Sequence, residues 1–162
     1  MSQSTDKPLE IERKFLLRND DWRALTGGSG RRLSQGYLCA DAGRSVRVRI
    51  DGEKGTITVK GPREGISRVE LQYTIPVRDA EILLGMCPGP LIDKIRHNVF
   101  HDGMKWEIDE FRGDNAGLIV AEVELESEDQ SISLPDWVGE EVSDQQRYYN
   151  SCLAKEPFLT WK

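Results

Sequence analysis

The sequence predicts an α+β domain that is mainly antiparallel β. Three observations carry that expectation. Segments in which apolar and charged residues alternate one by one recur along the chain, and a period of two is the signature of strands. Short turn signals separate them: Thr26-Gly27-Gly28-Ser29-Gly30, Asp51-Gly52-Glu53-Lys54-Gly55, Gly61-Pro62-Arg63-Glu64-Gly65, Pro88-Gly89-Pro90 and Asp102-Gly103. Helical periodicity is confined to three short stretches. With 162 residues, against ~100–200 for an average domain, the chain reads as a tail over residues 1–8, expected to be disordered, followed by one domain over 9–162.

Each strand segment carries one apolar and one ionic face, because side chains two apart in a strand point the same way. In Leu9 to Leu16, Glu10, Glu12 and Lys14 oppose Leu9, Ile11 and Phe15, with Arg13 interrupting the apolar side. In Ser45 to Ile50, Arg47 and Arg49 oppose Val46, Val48 and Ile50. Thr56, Thr58 and Lys60 oppose Ile57 and Val59. Arg68, Glu70, Gln72 and Thr74 oppose Val69, Leu71, Tyr73 and Ile75. Lys94 and Arg96 flank Ile95; Lys105, Glu107 and Asp109 oppose Trp106 and Ile108; Glu122, Glu124 and Glu126 oppose Ala121, Val123 and Leu125. Helices are expected at Asp21–Leu25 behind Asn19 or Asp20, at Asp79–Leu84 before Pro88, and from about Asp144 to Lys155. Ser143 and Gln146 there have the spacing of a capping box, and Pro157 closes the segment.

An antiparallel sheet packed on one side and wet on the other accounts for such alternation. The sorting of the charges is harder to account for that way. Arg47/Arg49 and Lys94/Arg96 are same-sign pairs, as are Glu10/Glu12 and Glu122/Glu124, whereas a surface shaped for solubility mixes signs. Same-sign pairs make sense when something of opposite sign lies between them.

The chain holds 22 basic and 28 acidic residues, a net charge of −6. That balance argues against a nucleic-acid partner, which calls for a basic surplus, but not against a small anion held by local charge. No run approaches the ~20 apolar residues of a membrane span, and the N-terminus lacks the apolar stretch of a secretory signal. Cys39, Cys87 and Cys152 have no paired spacing, which argues against a zinc site or a disulfide framework and for reduced thiols in the cytoplasm. His97 and His101 flank a strand-like segment, where a four-residue spacing does not bring two rings together. The Gly27–Arg32 stretch lacks the phosphate-loop pattern, and the tryptophans Trp22, Trp106, Trp137 and Trp161 read as packing residues.

Glu10-Ile11-Glu12-Arg13-Lys14 is an E-x-E-x-K on the first strand. It places two carboxylates and an ammonium on one face at steps of about 6–7 Å, with hard oxygen donors suited to Mg²⁺ or Mn²⁺. After it come, in order, Gln35-Gly36-Tyr37-Leu38, Arg47-Val48-Arg49, Thr58-Val59-Lys60, Arg68-Val69-Glu70 and Lys94-Ile95-Arg96. Glu107-Ile108-Asp109, Ala121-Glu122-Val123-Glu124-Leu125, Gly139-Glu140-Glu141-Val142 and Arg147-Tyr148-Tyr149-Asn150 complete the series. In order and spacing, over residues 9–150, the chain resembles the CYTH family of triphosphate tunnel metalloenzymes, in its short bacterial form.

That resemblance implies an eight-stranded antiparallel closed barrel with the ionic faces inward, a few short helices outside and a C-terminal helix against the tunnel. It implies that Lys14, Arg47, Arg49, Lys60, Lys94, Arg96 and Arg147 bind a linear triphosphate. It gives Glu10, Glu12, Asp109, Glu122 and Glu124 as ligands for Mg²⁺ or Mn²⁺, with Lys94 and Tyr37 as candidate catalytic residues. Relatives often carry lysines around Arg147, where this chain has Gln146 and Tyr149. The activity implied is metal-dependent hydrolysis of a small-molecule triphosphate, inorganic tripolyphosphate first, by a cytoplasmic monomer or homodimer with neither nucleic-acid nor membrane partner. A class IV adenylyl cyclase, a triphosphatase acting on thiamine triphosphate or nucleotides, and a non-catalytic polyphosphate- or nucleotide-binding module are the alternatives.

Overall fold

The structure, a computed structural model, describes residues 7–162. Most of the expected tail falls outside that range, and Pro8 already lends its carbonyl to the Glu70 N–H at 2.8 Å. The strands are β1 Leu9–Leu17, β2 Arg31–Asp41, β3 Arg44–Asp51, β4 Lys54–Lys60 and β5 Ser67–Ile75. They continue as β6 Ile92–His101, β7 Met104–Phe111, β8 Ile119–Glu124 and β9 Val138–Glu141. Two α-helices, α1 Val77–Met86 and α2 Asn150–Leu153, and several single-turn 3-10 helices make up the rest. None of the described helices is long and apolar enough to cross a membrane.

Strands β5-β4-β3-β2-β6-β7-β8-β1 pair antiparallel in that order, and β1 pairs again with β5, so eight strands close in a ring. Closure leaves little free edge for another chain to extend, confined to the far end of β5 and to the short β9. The seam is β1. One of its edges pairs with β8 over Glu12–Leu16, while the other takes β5 at Leu9–Ile11 and then β9 at Phe15 and Leu17.

The ionic faces point into the ring. Lys14, Gln35, Ser45, Arg47, Thr56, Thr58, Lys60, Lys94, Arg96 and Asp109 are all buried, and each lies on the inner parity of its strand. The apolar faces point outward and are covered from outside. Ile11, Phe15, Val99, Trp106, Ile108, Ala121 and Val123 meet Trp137 and Val138 of the returning chain, with the Trp106 ring centred 5.5 Å from both Phe15, tilted, and Trp137, edge-on. On the other flank α1 lays Ala80 and Leu84 on Val48. Gly55 lets it approach that closely, because a Cβ there would stand 2.9 Å from the Ala80 methyl. Trp22, on the 3-10 helix Asp21–Leu25, is fully buried and meets the His97 ring edge-on at 5.2 Å. Arg13, the interruption on the apolar face of β1, makes a two-pronged pair with Glu141 at 2.6 and 2.8 Å.

At one end the inner face itself becomes apolar. One strand step beyond Lys14, Lys94, Asp109 and Glu122 stand Leu16, Ile92, Phe111 and Val120, and these form a second small core with Leu118, Leu153, Tyr148, Phe158 and Trp161. The C-terminal segment thus stoppers that end of the barrel. It is shorter in helix than the sequence suggests: a 3-10 turn at Gln146–Tyr148 precedes α2, which spans only four residues. Ser143 does not cap it. Its hydroxyl instead accepts the Lys14 N–H at 2.9 Å and donates to Glu141 at 2.7 Å, tying the segment to β1. Likewise β8 ends at Glu124, so Glu126 belongs to the following loop.

Trp106 is the centre of the outer core, and its Nε1 has no hydrogen-bond partner. Trp106→Ala is expected to lower the unfolding free energy by ~3–5 kcal/mol. Trp106→Phe should cost much less, since no indole hydrogen bond is lost. Urea titration followed by circular dichroism reads both values.

Candidate active site

The lumen divides into a cation-rich inner cavity and an acid-rich mouth. The inner cavity, about 30 Å³, is lined by eight cationic side chains, Lys14, Arg47, Arg49, Lys60, Arg63, Arg68, Lys94 and Arg96, but only two carboxylates, Glu12 and Glu122. Tyr37, Ser45, Tyr149, Asn150 and Ser151 complete its wall. The mouth, about 170 Å³, has six carboxylates, Glu10, Glu12, Glu70, Glu107, Glu122 and Glu124, beside Arg47, Arg49, Lys60 and Arg96.

Strand register decides which charges meet. Lys14 faces Glu122 across β1 and β8 and reaches it at 3.1 Å. Lys60 faces Glu70 and binds it at 3.2 Å and Glu10 at 2.9 Å. Arg96 faces Asp109, donates to it from Nε at 2.7 Å and also pairs with Glu107. Elsewhere the register sets like against like: Glu12 opposes Glu124, and Glu107 opposes Glu122. Directly opposed like charges destabilise a sheet, so these pairs call for a cation.

The protonation equilibria divide along the same line. Burial, then Glu122 and Glu10, push the Glu12 carboxyl up; burial and the Glu70 contact raise Glu10. Glu124 is raised by partial burial and by Glu10, Glu12 and Glu107. Glu122 goes the other way. Burial works to raise it, but Lys14, Arg96 and Lys94 together hold it well below the usual carboxylate range.

Two arginines stand apart from this pairing. Arg47 and Arg49, neighbours on the inner face of β3, make no ion pair among the described residues. Arg47 has one hydrogen bond, to Thr58 at 3.2 Å, and a buried Nε with no partner. Burial, with Arg47 and Arg96 adding repulsion, draws the Arg49 guanidinium down to about 9. The Nε atoms of Arg63 and Arg68 are buried without a hydrogen bond as well, although Arg68 Nε lies 3.5 Å from Glu10 and the Arg63 guanidinium 3.7 Å from Glu12. Lys94, fully buried, is drawn down to about 7 by burial, with Arg96 and Arg49 adding to the fall and Asp109 opposing it.

Of the residues singled out in the sequence, Glu10, Glu12, Lys14, Tyr37, Arg47, Arg49, Lys60, Lys94, Arg96, Glu122 and Glu124 all line the lumen. Two do not. Arg147 is exposed outside the stopper, its guanidinium 3.8 Å over the Trp161 ring. Asp109 lies beneath the cavity floor, inaccessible, with both oxygens taken by Lys94 at 2.6 Å and by Arg96; those two cations hold it down to about 2 despite its burial. Arg63, Arg68, Tyr149, Asn150 and Gln35 were not singled out. Arg68 shares the parity of Glu70 and Gln72 and could have been found from it. Arg63 sits in a turn, where no periodicity points, and lies 4.5 Å over the Tyr149 ring.

No three carboxylate, histidine or cysteine side chains among the described residues stand grouped at ligating distance, because Glu10 and Glu122 are turned to lysines. The donors nevertheless suit a divalent cation: hard oxygens in like-charge register, with the Glu10, Glu12 and Glu124 carboxyls pushed up by burial and by one another.

A closed antiparallel ring with a cation-lined, acid-mouthed lumen defines a class of phosphate-handling tunnel proteins. The chain belongs to the CYTH domain family, whose model matches residues 8–155. It is 46% identical over 154 residues to the inorganic triphosphatase of Acetivibrio thermocellus, covering 94% of this chain and 97% of that one. It is 36% identical over 149 residues to the inorganic triphosphatase of Nitrosomonas europaea, with coverages of 90% and 96%. The crystal structure of the inorganic triphosphatase NE1496 superposes with a TM-score of 0.63 at 34% identity, over 90% of this chain and 97% of that chain.

Because the charge of Glu122 is supported and that of Glu12 is opposed, the two glutamine substitutions should differ in sign. In chelator, Glu122→Gln is expected to lower the melting temperature by at least about 2–4 °C, what ~1 kcal/mol gives for a domain of this size. Glu12→Gln should hold or raise it. Scanning calorimetry of both variants checks the contrast.

Proposed function

We propose that this protein hydrolyses a linear triphosphate, inorganic tripolyphosphate foremost, inside the lumen. The observation that carries the reading is the pair of arginines without a counter-ion among the described residues, Arg47 buried and Arg49 half-buried, set among Lys14, Lys60, Arg63, Arg68, Lys94 and Arg96. An uncompensated buried charge costs several kcal/mol, and a chain of phosphates supplies opposite charge at repeated intervals along the cavity. The inorganic triphosphatases named among the relatives support the same substrate.

The barrel's own residues do most of what such a reaction needs, since phosphoryl transfer is catalysed chiefly by positioning and charge stabilisation. Arg47 and Arg49 hold the phosphate oxygens from the β3 wall, while Lys14, Lys60 and Arg96 close the other sides. Lys94 at the cavity floor, held by Asp109 and Asn150, can keep or give a proton at Nζ. Tyr37 can donate its hydroxyl hydrogen to a phosphoryl oxygen. Glu12, Glu122 and Glu124, with Glu10, would hold Mg²⁺ or Mn²⁺ at the acid-rich mouth, and a carboxylate of that group can take the proton of the attacking water. When bound, such a cation supplies charge neutralisation at the phosphoryl oxygens and acidification of water. The expected location is the cytoplasm.

Tripolyphosphate, ATP and thiamine triphosphate, each offered with Mg²⁺ and with Mn²⁺, test the assignment through phosphate release and cyclic-AMP formation. Phosphate released fastest from tripolyphosphate, abolished by chelator and unaccompanied by cyclic AMP, is the expected result; no phosphate from any substrate with either metal overturns it. Arg47→Ala should weaken substrate binding by ~1.5–3 kcal/mol, the worth of a charge-assisted hydrogen bond. An unchanged KM would remove Arg47 from the site.

A further inference from the structure

We propose that Gln35 and Asn150 form a neutral amide bridge that fixes Arg49 and Lys94 in the lumen while leaving the Arg49 charge free for the substrate. The bridge runs unbroken between two cationic residues that line the inner cavity. Arg49 Nε donates to Gln35 Oε1 at 2.9 Å, Gln35 Nε2 donates to Asn150 Oδ1 at 3.2 Å, and Lys94 Nζ donates to the same Oδ1 at 2.9 Å. Gln35 is fully buried on β2, directly opposite Arg49 in register. Asn150 opens α2, so the bridge also joins the barrel wall to the C-terminal stopper.

The chemistry of the Arg49 end removes any ambiguity about the middle. Arginine only donates. Arg49 therefore requires the oxygen of Gln35, which turns the Gln35 NH₂ toward Asn150. That NH₂ requires the oxygen of Asn150, which also accepts from Lys94 Nζ. Both amides have one satisfied orientation, and it is set by the arginine.

What distinguishes the bridge is its lack of charge. Lys14, Lys60 and Arg96 are held by carboxylates, Glu122 for the first, Glu10 and Glu70 for the second, Asp109 and Glu107 for the third. Each of those pairs cancels charge locally. Arg49 is held as firmly, from an atom at hydrogen-bonding distance, by a group that cancels nothing. A glutamate at position 35 would match the glutamine in shape, and its carboxylate would pair with Arg49 and compete with any anion for it. The amide is thus the group that positions the cation without occupying it. Gln35 and Asn150 act through Arg49 and Lys94 and are positioning residues.

This inference rests on the triphosphate reading, and its test separates the two. Gln35→Glu and Asn150→Asp keep shape and add charge at either end of the bridge. Calorimetric titration with tripolyphosphate in chelator measures binding without turnover, and a thermal melt of the same metal-free samples measures integrity. Both variants are expected to bind at least about tenfold more weakly, the factor that 1.4 kcal/mol represents, while melting no lower than wild type. With metal restored, the loss should fall mainly on KM. Unchanged affinity in both variants, with wild type binding normally, overturns the bridge alone. Weaker binding accompanied by a lowered melting temperature also overturns it, since the loss then follows from damaged packing. Wild-type protein that binds no tripolyphosphate overturns the functional reading and the bridge together.

Discussion

Everything in this fold answers to one constraint: ionic groups enclosed by a sheet must each find an opposite charge. Transfer of an ion from water to protein interior is repaid only with close partners and good geometry. The register of the barrel supplies those partners strand by strand, Lys14 to Glu122, Lys60 to Glu70, Arg96 to Asp109. A slip of one residue would turn every inner charge into the outer apolar layer, so the ionic lumen and the hydrophobic coat specify the same register from opposite sides. The coat is consequently outside the barrel and not within it. Trp106, Trp137 and Phe15 on one flank, and α1 over Val48 on the other, do the work that an interior core does in a small filled barrel.

The pairing is deliberately incomplete. At the inner cavity cations outnumber carboxylates and Arg47 and Arg49 are left without an ion pair among the described residues, while carboxylates are crowded against one another at the mouth. The two imbalances lie a few strand residues apart on the same walls: Glu12 and Lys14 on β1, Lys94 and Arg96 against Glu107 across β6 and β7. An anion alone would relieve the first and a cation alone the second. A metal–phosphate complex laid along the axis would relieve both. Glu122 stands at the junction, drawn into its charged form by Lys14, Arg96 and Lys94 on one side and opposed by Glu107 in register on the other.

Much of this was legible in the residues. Alternation gave the strands carrying the ionic faces, and the same-sign pairs Arg47/Arg49 and Glu122/Glu124 marked those faces as something other than a solvated surface. Period two cannot say which face is inside, because a half-wet sheet and a wet-cored barrel share it; the ordered series of short motifs settled that, through resemblance. The stopper was invisible for a related reason. Leu16, Ile92, Phe111 and Val120 continue the inner faces by one step, but nothing local tells that charge gives way there to a second core. Depth was likewise beyond reach: Asp109 has the parity of a lumen residue, and only the packing shows Lys94 and Arg96 sealing it beneath the floor. Arg147 was drawn in by position in a motif, whereas the aromatic face of Trp161 holds it outside. Arg63 and Asn150 come from a turn and a broken helix, where no periodicity operates.

The seam explains why turn residues matter at all. Because β5 pairs with β1 over only Leu9–Ile11 before β9 takes over that edge, the wall is incomplete beside the inner cavity, and the 61–65 turn and the C-terminal segment fill the gap. Arg63 enters through it and rests on Tyr149, whose hydroxyl is anchored to the Ser143 carbonyl at 2.9 Å. Lys14 lies 5.6 Å from the same ring and 3.4 Å from the Tyr148 carbonyl. A cation over an aromatic face is held without being neutralised, as Arg49 is by an amide. Lys14 and Arg63 also meet carboxylates there, Glu122 at 3.1 Å and Glu12 at 3.7 Å, so beside the inner cavity rings, carbonyls and amides fix cations that carboxylates neutralise only in part.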